Sequence, residues 1–173
     1  MYSINFTLIL FFSTPPISSK NIKIENCIIS RNYLAGIIAL ESTGVYIQKN
    51  NISSNTYTDS IGGVCIENTS FSQIYDNILY LNKVGIFVKN GSWIEIVFNR
   101  LKDYYYSNIR LMGCEHILVE SNTMLGSEMG ITGIHGLCQM KTLMASWTYP
   151  IPYLMDYTVL LTTFHSQRNP GLL

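Results

Sequence analysis

A repeat with a period of 22 residues is the feature that most constrains how this chain can fold. Gly63 and Gly85 are 22 residues apart, and so are Asn77 and Asn99. In each copy an aliphatic residue stands eleven residues after the glycine, and the asparagine follows three residues later. Self-similarity at a fixed period of about 20–50 residues is typical of proteins built from stacked repeats. We therefore expect each copy to form one coil of a solenoid.

The same frame extends in both directions from these two copies. The asparagine position, with spacings of 23, 27, 22 and 23, is occupied in turn by Cys27, Asn50, Asn77, Asn99 and Asn122. The glycine position is occupied by Gly36, Gly63, Gly85, Asn108 and Gly130. The step of eleven residues to the aliphatic position recurs four times, ending at Ile47, Ile74, Ile96 and Val119. The pattern predicts about five coils of 22–27 residues between residues 21 and 136.

The predicted fold is all-β: a right-handed, single-stranded parallel β-helix with three short strands in each coil. Apolar residues alternate within each copy, which places them on one face of a strand, and parallel coils stack at ~4.8 Å per rung. Asparagine suits a repeated turn because it tolerates left-handed backbone angles and its amide can bond the amides of neighbouring coils. No heptads occur, and no stretch between residues 21 and 134 has a helical period long enough for a crossover helix.

Composition and charge narrow the classes of partner. Eleven basic residues balance eleven acidic ones, so no nucleic-acid partner is expected. Apolar residues make up 47% of the chain, which is ample for a core. The cysteines form no Cys-x-x-Cys pair and predict neither a metal site nor a disulfide framework: Cys27, Cys65, Cys114 and Cys138.

The two ends of the chain depart from the repeat. Residues 1–20 contain the apolar run Phe6–Phe12 and are read either as a signal-like segment or as a degenerate first coil. That run is too short to span a bilayer, so no transmembrane segment is expected. The frame stops after Ile134, and residues 137–173 form a non-repeat tail. The tail is either a cap over the open end of the solenoid or a segment foreign to the repeat. The sequence carries no signal for an oligomeric state.

The repeat pattern resembles a known family. Gly85-Ile86, followed by Ile96, Asn99 and Leu101, resembles the parallel β-helix repeats of the pectate-lyase superfamily. It is similar more closely to the repeats of NosD-like periplasmic proteins and of sugar-hydrolase or carbohydrate-binding β-helix domains. The resemblance covers about residues 21–134. It is specific for the fold and weak for activity, because such repeats serve lyases, hydrolases, epimerases, adhesins and structural modules.

The resemblance implies a binding groove on the strands that begin at the glycine position and on the loops that lead into them. The residues it implies for carbohydrate binding are Tyr57, Asp59, Glu67, Phe87, Lys89 and Arg110. A second polar and aromatic cluster, Asp103–Tyr106, lies in an equivalent loop. Aromatic rings would contact pyranose faces, and charged groups would bind hydroxyls or uronate carboxylates. The alternative is purely structural: an exposed ion pair between Glu67 and Lys89, and a cation–π contact of Arg110 over Phe87.

Motifs for specific reactions are mostly missing. The chain lacks the paired aspartates of pectinolytic hydrolases and the Asp-Pro-His motif of alginate epimerases. A calcium-dependent lyase needs clustered carboxylates and a basic proton acceptor, and only Asp59, Glu67 and Lys89 or Arg110 approximate that set. No catalytic residue is assigned, and no cofactor is expected other than calcium in the case of a lyase. If the chain is an enzyme, it is a polysaccharide lyase or a glycoside hydrolase.

The sequence favours an extracellular, cell-surface or periplasmic β-helix module that binds, or once processed, polysaccharide. The alternative is a non-catalytic structural scaffold, or a metal-delivery scaffold of the NosD kind. A loose run that could serve metal delivery comprises Met124, Met129, His135, Cys138 and Met140. Joint removal of the Tyr57, Lys89 and Arg110 side chains should abolish binding under the first hypothesis and have no effect under the second.

Overall fold

The computed structural model describes residues 2–4, 8–10, 20–55, 62–102, 106–126, 129–132 and 138–140. Within these residues every regular element is a β-strand. In chain order the first nine are β1 (Tyr2–Ile4), β2 (Leu8–Leu10), β3 (Lys20–Glu25), β4 (Cys27–Ser30), β5 (Ile37–Leu40), β6 (Thr43–Gln48), β7 (Asn51–Ser53), β8 (Val64–Glu67) and β9 (Ser70–Tyr75). The next nine are β10 (Ile78–Tyr80), β11 (Val84–Lys89), β12 (Ser92–Val97), β13 (Arg100–Lys102), β14 (Ser107–Met112), β15 (Glu115–Glu120), β16 (Thr123–Leu125), β17 (Met129–Thr132) and β18 (Cys138–Met140).

Every third strand pairs in parallel, which produces three sheets of six strands each. The first sheet has the order β1-β4-β7-β10-β13-β16, the second β2-β5-β8-β11-β14-β17, and the third β3-β6-β9-β12-β15-β18. This arrangement confirms the predicted all-β parallel β-helix. The number of rungs differs slightly from the prediction. Strands β3 to β17 form five coils, while β1, β2 and β18 add strands at the two ends.

The core is the stack of apolar columns that the repeat predicted. In the third sheet Ile47 pairs with Ile24 and Ile74, and Ile96 pairs with Ile74 and Val119. The first and second sheets contribute equivalent buried columns, and these two are Ile29, Ile52, Leu79 and Leu101, and Ile37, Val64, Ile86 and Ile109. Full burial of such a side chain contributes about 1.5–3 kcal/mol. Because each column runs the length of the helix, the coils are held together mainly by contacts with their immediate neighbours.

The asparagine column lies at the turn between the third and first sheets, where the repeat placed it. The backbone N–H and side-chain Nδ2 of Asn50 donate to Asn77 Oδ1 over 2.9 and 3.0 Å. Asn77 donates in the same way to Asn99, and Asn99 to Asn122. Cys27, which occupies the slot in the first copy, donates only its backbone N–H to Asn50 Oδ1. The column therefore satisfies amides in an interior that would otherwise leave them without partners.

A second asparagine column, which the sequence analysis did not identify, lies at the turn between the first and second sheets. The backbone N–H of Asn32 donates to Asn55 Oδ1, and that of Asn55 donates to Asn82 Oδ1. These residues stand five positions after the first column, at 27, 50 and 77, so the repeat contains the signal. Among the described residues no helix is long and apolar enough to cross a membrane.

Candidate functional site

The outer face of the second sheet carries four of the six predicted carbohydrate-binding residues. Phe87 pairs with Cys65 on one side and Arg110 on the other, and Lys89 pairs with Glu67. The predicted register therefore brings Glu67, Phe87, Lys89 and Arg110 onto one surface. Tyr57 and Asp59, as well as Asp103, Tyr104 and Tyr105 of the second cluster, lie outside the described residues.

This surface is covered more than its outward direction suggests. Only 8% of Phe87 is exposed, and the guanidinium carbon of Arg110 lies 5.6 Å from the centre of its ring. Phe87 belongs to a small apolar cluster on the outside of the sheet with Ala35, Ile38, Cys65 and Val84. Phe87 therefore presents little ring area to a ligand, and its cation–π contact is the one that the structural alternative predicted.

The charged pair on the same surface is also present. Lys89 Nζ lies 2.6 Å from Glu67 Oε1, and the two side chains are 42% and 30% exposed. An ion pair at this exposure contributes about 0.2–1 kcal/mol. Each charge is therefore already partnered, although the exposed edges of both remain accessible.

Burial of the Cys65 side chain raises the pKa of its thiol from 9.0 to about 12. The carboxylate of Glu67 raises the pKa further, and Lys89 opposes it weakly. Burial also raises the pKa of the Cys114 thiol. Nucleophilic cysteines require the thiolate, so neither thiol is poised for catalysis at neutral pH.

A different surface, on the third sheet, gathers exposed aromatic rings. Phe71, Trp93 and His116 occupy equivalent positions in three successive coils, and we call them the aromatic column. The rings of Phe71 and Trp93 are 6.3 Å apart with an interplanar angle of 5°. Those of Trp93 and His116 are 4.2 Å apart at 14°. Phe71 is 60% exposed and Trp93 53% exposed, so water surrounds most of the stack.

The backbone of the aromatic column is in a conformation that side chains rarely adopt. Its φ angles are +51° at Phe71, +55° at Trp93 and +52° at His116. The left-handed region costs an ordinary residue about 1–2 kcal/mol. Left-handed residues recur at the turns of this helix, but those turn positions often hold Asn or Gly. Bulky aromatic residues held there, with their rings in solvent, point to a function that offsets the strain.

A groove of about 420 Å³ runs beside the aromatic column. Besides the column, Tyr46, Gln73 and Glu95 line it with polar groups, and Ile94 and Ile117 lie at its floor. Gln73 Nε2 donates to Glu95 Oε2 over 2.8 Å. The groove thus combines ring edges and faces with an amide, a phenol and a carboxylate, which can bind a ligand that is apolar on its faces and polar at its edges.

A second hollow, of about 610 Å³, lies at the turn between the third and first sheets. Charged and amide side chains line it, among them Lys49, Asp76 and Arg100, with Ile78 at one side. It contains no stacked aromatic rings, so the described part of the molecule offers one aromatic groove and one polar hollow.

The residues considered for metal delivery do not form a described site. Met124 is buried in the core, and His135 lies outside the described residues. In the part of the chain that the structure describes, no group of three or more His, Cys, Asp or Glu side chains could hold a metal ion.

The aromatic column was missed by the sequence analysis, although the repeat carries a signal for it. Phe71, Trp93 and His116 each stand eight residues after a glycine position, at 63, 85 and 108. The residue eight positions after Gly36 is Gly44. An aromatic ring at one repeat position in three consecutive coils is therefore the pattern that identifies this site.

Comparison with known proteins bears on the fold. A family model described as right-handed β-helix region matches residues 16–124. No curated protein matches the sequence significantly. A crystal structure of a Parabacteroides merdae protein assigned as a glycosyl hydrolase is similar, with a TM-score of 0.58 and 12% identity over 80% of this chain and 82% of that chain.

A second similar structure is the A-module of a mannuronan C-5 epimerase from Azotobacter vinelandii. Its TM-score is 0.58 at 14% identity, over 78% of this chain and 47% of that one. The chain therefore spans about half the length of this second structure. At 12% and 14% identity, both likenesses concern the fold alone.

Proposed function

This chain belongs to the right-handed β-helix family, and we propose that it is a module that binds polysaccharide in the groove of the third sheet. The observation that carries the proposal is the aromatic column. Three stacked and exposed rings, Phe71, Trp93 and His116, border a groove that also presents an amide and a carboxylate.

The chemistry of the groove suits a sugar chain. One face of a pyranose ring exposes C–H groups, which pack against the electron-rich face or the edge of an aromatic ring. Its hydroxyls need donors and acceptors at the rim, which Gln73, Glu95 and the Tyr46 hydroxyl can supply. A volume of about 420 Å³ falls within the range of about 300–1,000 Å³ for ligand sites.

The comparisons give limited support to a carbohydrate ligand. The two similar structures are described as a glycosyl hydrolase and a mannuronan epimerase, and both descriptions refer to carbohydrate chemistry. The same fold carries many functions, so the ligand is argued here from the groove. We place the module outside the cell, on its surface or in a periplasm, where polysaccharides are found.

A binding experiment with matched variants tests the proposal. The protein is screened against a panel of soluble polysaccharides, in calcium and in chelator, beside two variants: Trp93→Ala in the groove, and Lys89→Met with Arg110→Met on the second sheet. We expect Trp93→Ala to weaken binding at least about tenfold, as removal of a central aromatic contact typically does. The second-sheet variant should bind like the unaltered protein.

Three other outcomes have defined meanings. Loss of binding only in the Lys89 and Arg110 variant would place the ligand on the second sheet, as the sequence analysis predicted. Binding that requires calcium would add the metal to the proposal and justify an assay for lyase activity. If folded protein binds no polysaccharide, the proposal fails and the structural scaffold is favoured.

A further inference from the structure

We infer that the empty rung beneath Phe71, at Gly44, is a subsite for one uncharged pyranose ring. This inference rests on the proposed function and specifies where a sugar binds in the groove and what class of sugar it is.

The register of the third sheet places Gly44 in the aromatic column. Thr43 pairs with Ser70 and Tyr46 with Gln73, so Gly44 lies beside Phe71. One rung further out, Lys20 pairs with Thr43 and Ile22 with Val45, so Asn21 lies beside Gly44. The column therefore runs Asn21, Gly44, Phe71, Trp93 and His116, and its second member has no side chain.

The missing side chain leaves one aromatic face uncovered. Trp93 covers one face of Phe71, and the planes of the two rings differ by only 5°, so the other face is directed toward the rung of Gly44. The exposure of Phe71, at 60%, agrees with an open face. Two rungs, or roughly 9.6 Å, separate Phe71 from Asn21. Contacts of about 3.5–4.0 Å on each side then leave room for a single ring.

Polar groups surround this opening. The side-chain Oδ1 of Asn21 lies 2.9 Å from the position that a Cβ on Gly44 would take, so an amide borders the empty rung. Tyr46 is 38% exposed and follows Gly44 by two residues on the same face, with Gln73 as its cross-strand neighbour. A ring stacked on Phe71 would thus meet an amide, a phenol and a second amide at its edge, which matches the hydroxyls of a sugar.

The charges nearby favour an uncharged sugar. Among the described residues that line the groove, the one carboxylate is Glu95, and no lysine or arginine accompanies it. Lys23, the cross-strand neighbour of Tyr46, is engaged by Glu25 at 2.8 Å. The hydrogen bond from Lys23 lowers the pKa of Glu25, so this pair stays ionised at neutral pH. His116 is two rungs above Phe71. A uronate carboxylate would therefore meet a like charge without a free cation.

The decisive variant fills the rung instead of deleting a contact. In Gly44→Phe, a new ring would stack on Phe71 and occupy the subsite, while every groove residue remains. The equivalent positions hold Phe71 at φ +51° and Trp93 at +55°, so the column accepts an aromatic residue close to the +70° of Gly44, provided that the Asn21 amide moves aside. Gly44→Ala is the matched control, because it shares the backbone strain but leaves most of the ring face open.

We expect Gly44→Phe to weaken polysaccharide binding at least about tenfold and Gly44→Ala to weaken it by less than about threefold. Thermal unfolding of both variants checks that the fold is retained. If Trp93→Ala loses binding while folded Gly44→Phe binds like the unaltered protein, the subsite is wrong and the proposed function stands. If neither variant changes binding, the proposed function fails as well.

Two measurements on the unaltered protein do not depend on a variant that folds. In a saturated complex with a neutral oligosaccharide, the C–H protons of one sugar should show nuclear Overhauser effects to the ring protons of Phe71. Absence of these effects would overturn the subsite. A uronate polymer that binds more tightly than a neutral one would overturn the assignment of an uncharged sugar.

Discussion

At the scale of single residues, the buried asparagines are the most constrained side chains of this molecule. The Nδ2 group of Asn77 donates to the carbonyl oxygen of Ile47 over 2.8 Å and to Asn99 Oδ1 over 3.0 Å. Its Oδ1 accepts from both the backbone and the side chain of Asn50. One amide thus joins three coils and satisfies groups that have no access to water.

Replacing Asn77 with alanine should therefore destabilise the protein strongly. The change leaves several buried donors and acceptors unpaired, each at a cost of about 1–3 kcal/mol. We expect the free energy of unfolding to fall by at least about 3 kcal/mol, measured by urea denaturation.

Asn90→Gly is the matched control for this prediction. Asn90 is exposed, has a φ of +50°, and donates one side-chain bond to Asn68. The equivalent position of the next coil is Gly113, so this variant only copies a residue that the helix already uses. Its stability should change by less than about 0.5 kcal/mol. Equal effects of the two variants would contradict the role given to burial.

At the scale of the strand, the aromatic column shows how β9, β12 and β15 present side chains that a regular strand would not. Each strand has one left-handed residue after its first position, and that residue turns its ring outward. The pairing resumes on either side, since Ser70 pairs with Ser92 and Ser72 with Ile94. The strand thus carries an exposed ring without losing its buried column.

The strain at Trp93 can be measured by comparing two substitutions. Both Trp93→Ala and Trp93→Gly remove the ring, but only glycine relieves the positive φ. We expect the glycine variant to be more stable than the alanine variant by about 0.5–1 kcal/mol in chemical denaturation, after its own entropic cost.

The same pair of substitutions at Glu95 provides the control, because Glu95 lies in the same strand and outside the set of left-handed residues. There the order should reverse, with the alanine variant more stable by about 0.5–1 kcal/mol. The same order at both positions would show that Trp93 is not strained.

At the scale of the whole molecule, the coil is the unit of construction. Strand pairing joins each coil only to the coils before and after it. The asparagine amides alone reach further, bonding carbonyl groups two coils away in the case of Asn99 and Ile74 or their equivalents one coil apart along the stack. Stability in such a solenoid is approximately a sum over coils and their interfaces.

Deletion of one whole coil should therefore leave a folded protein. Removing Asn77–Phe98 joins Asp76 to Asn99 and takes out β10, β11 and β12. Asp76 and Phe98 have φ angles of +51° and +57°, so the new junction repeats the old turn. We expect a β-rich circular dichroism spectrum and cooperative unfolding at a lower temperature than that of the full chain.

Deletion of half that length is the control for the coil deletion. Removing Asn77–Phe87 joins the end of one sheet to the middle of another strand and takes the apolar columns out of register. This variant should not fold. A folded half-coil variant, or an unfolded coil-deleted one, would contradict the coil as the structural unit.

The sequence by itself determined the coil, its buried columns and the asparagine turn. These features depend on which residues recur at a fixed spacing, and a period constrains every coil at once. Ile47, Ile74 and Ile96 had to align because any other register would expose them. The second asparagine column and the position of the aromatic rings were also present in the period, at offsets of five and eight residues, and could have been predicted from it.

The tertiary structure alone decided which outward residues are accessible. Phe87 and Trp93 both leave the sheet surface, yet Phe87 is covered by Arg110 and an apolar cluster while Trp93 is exposed. Strand alternation specifies only inward or outward, whereas exposure depends on what packs over the outer face. The free face of Phe71 above Gly44 likewise depends on register and on a left-handed backbone, and the candidate site follows from the two together.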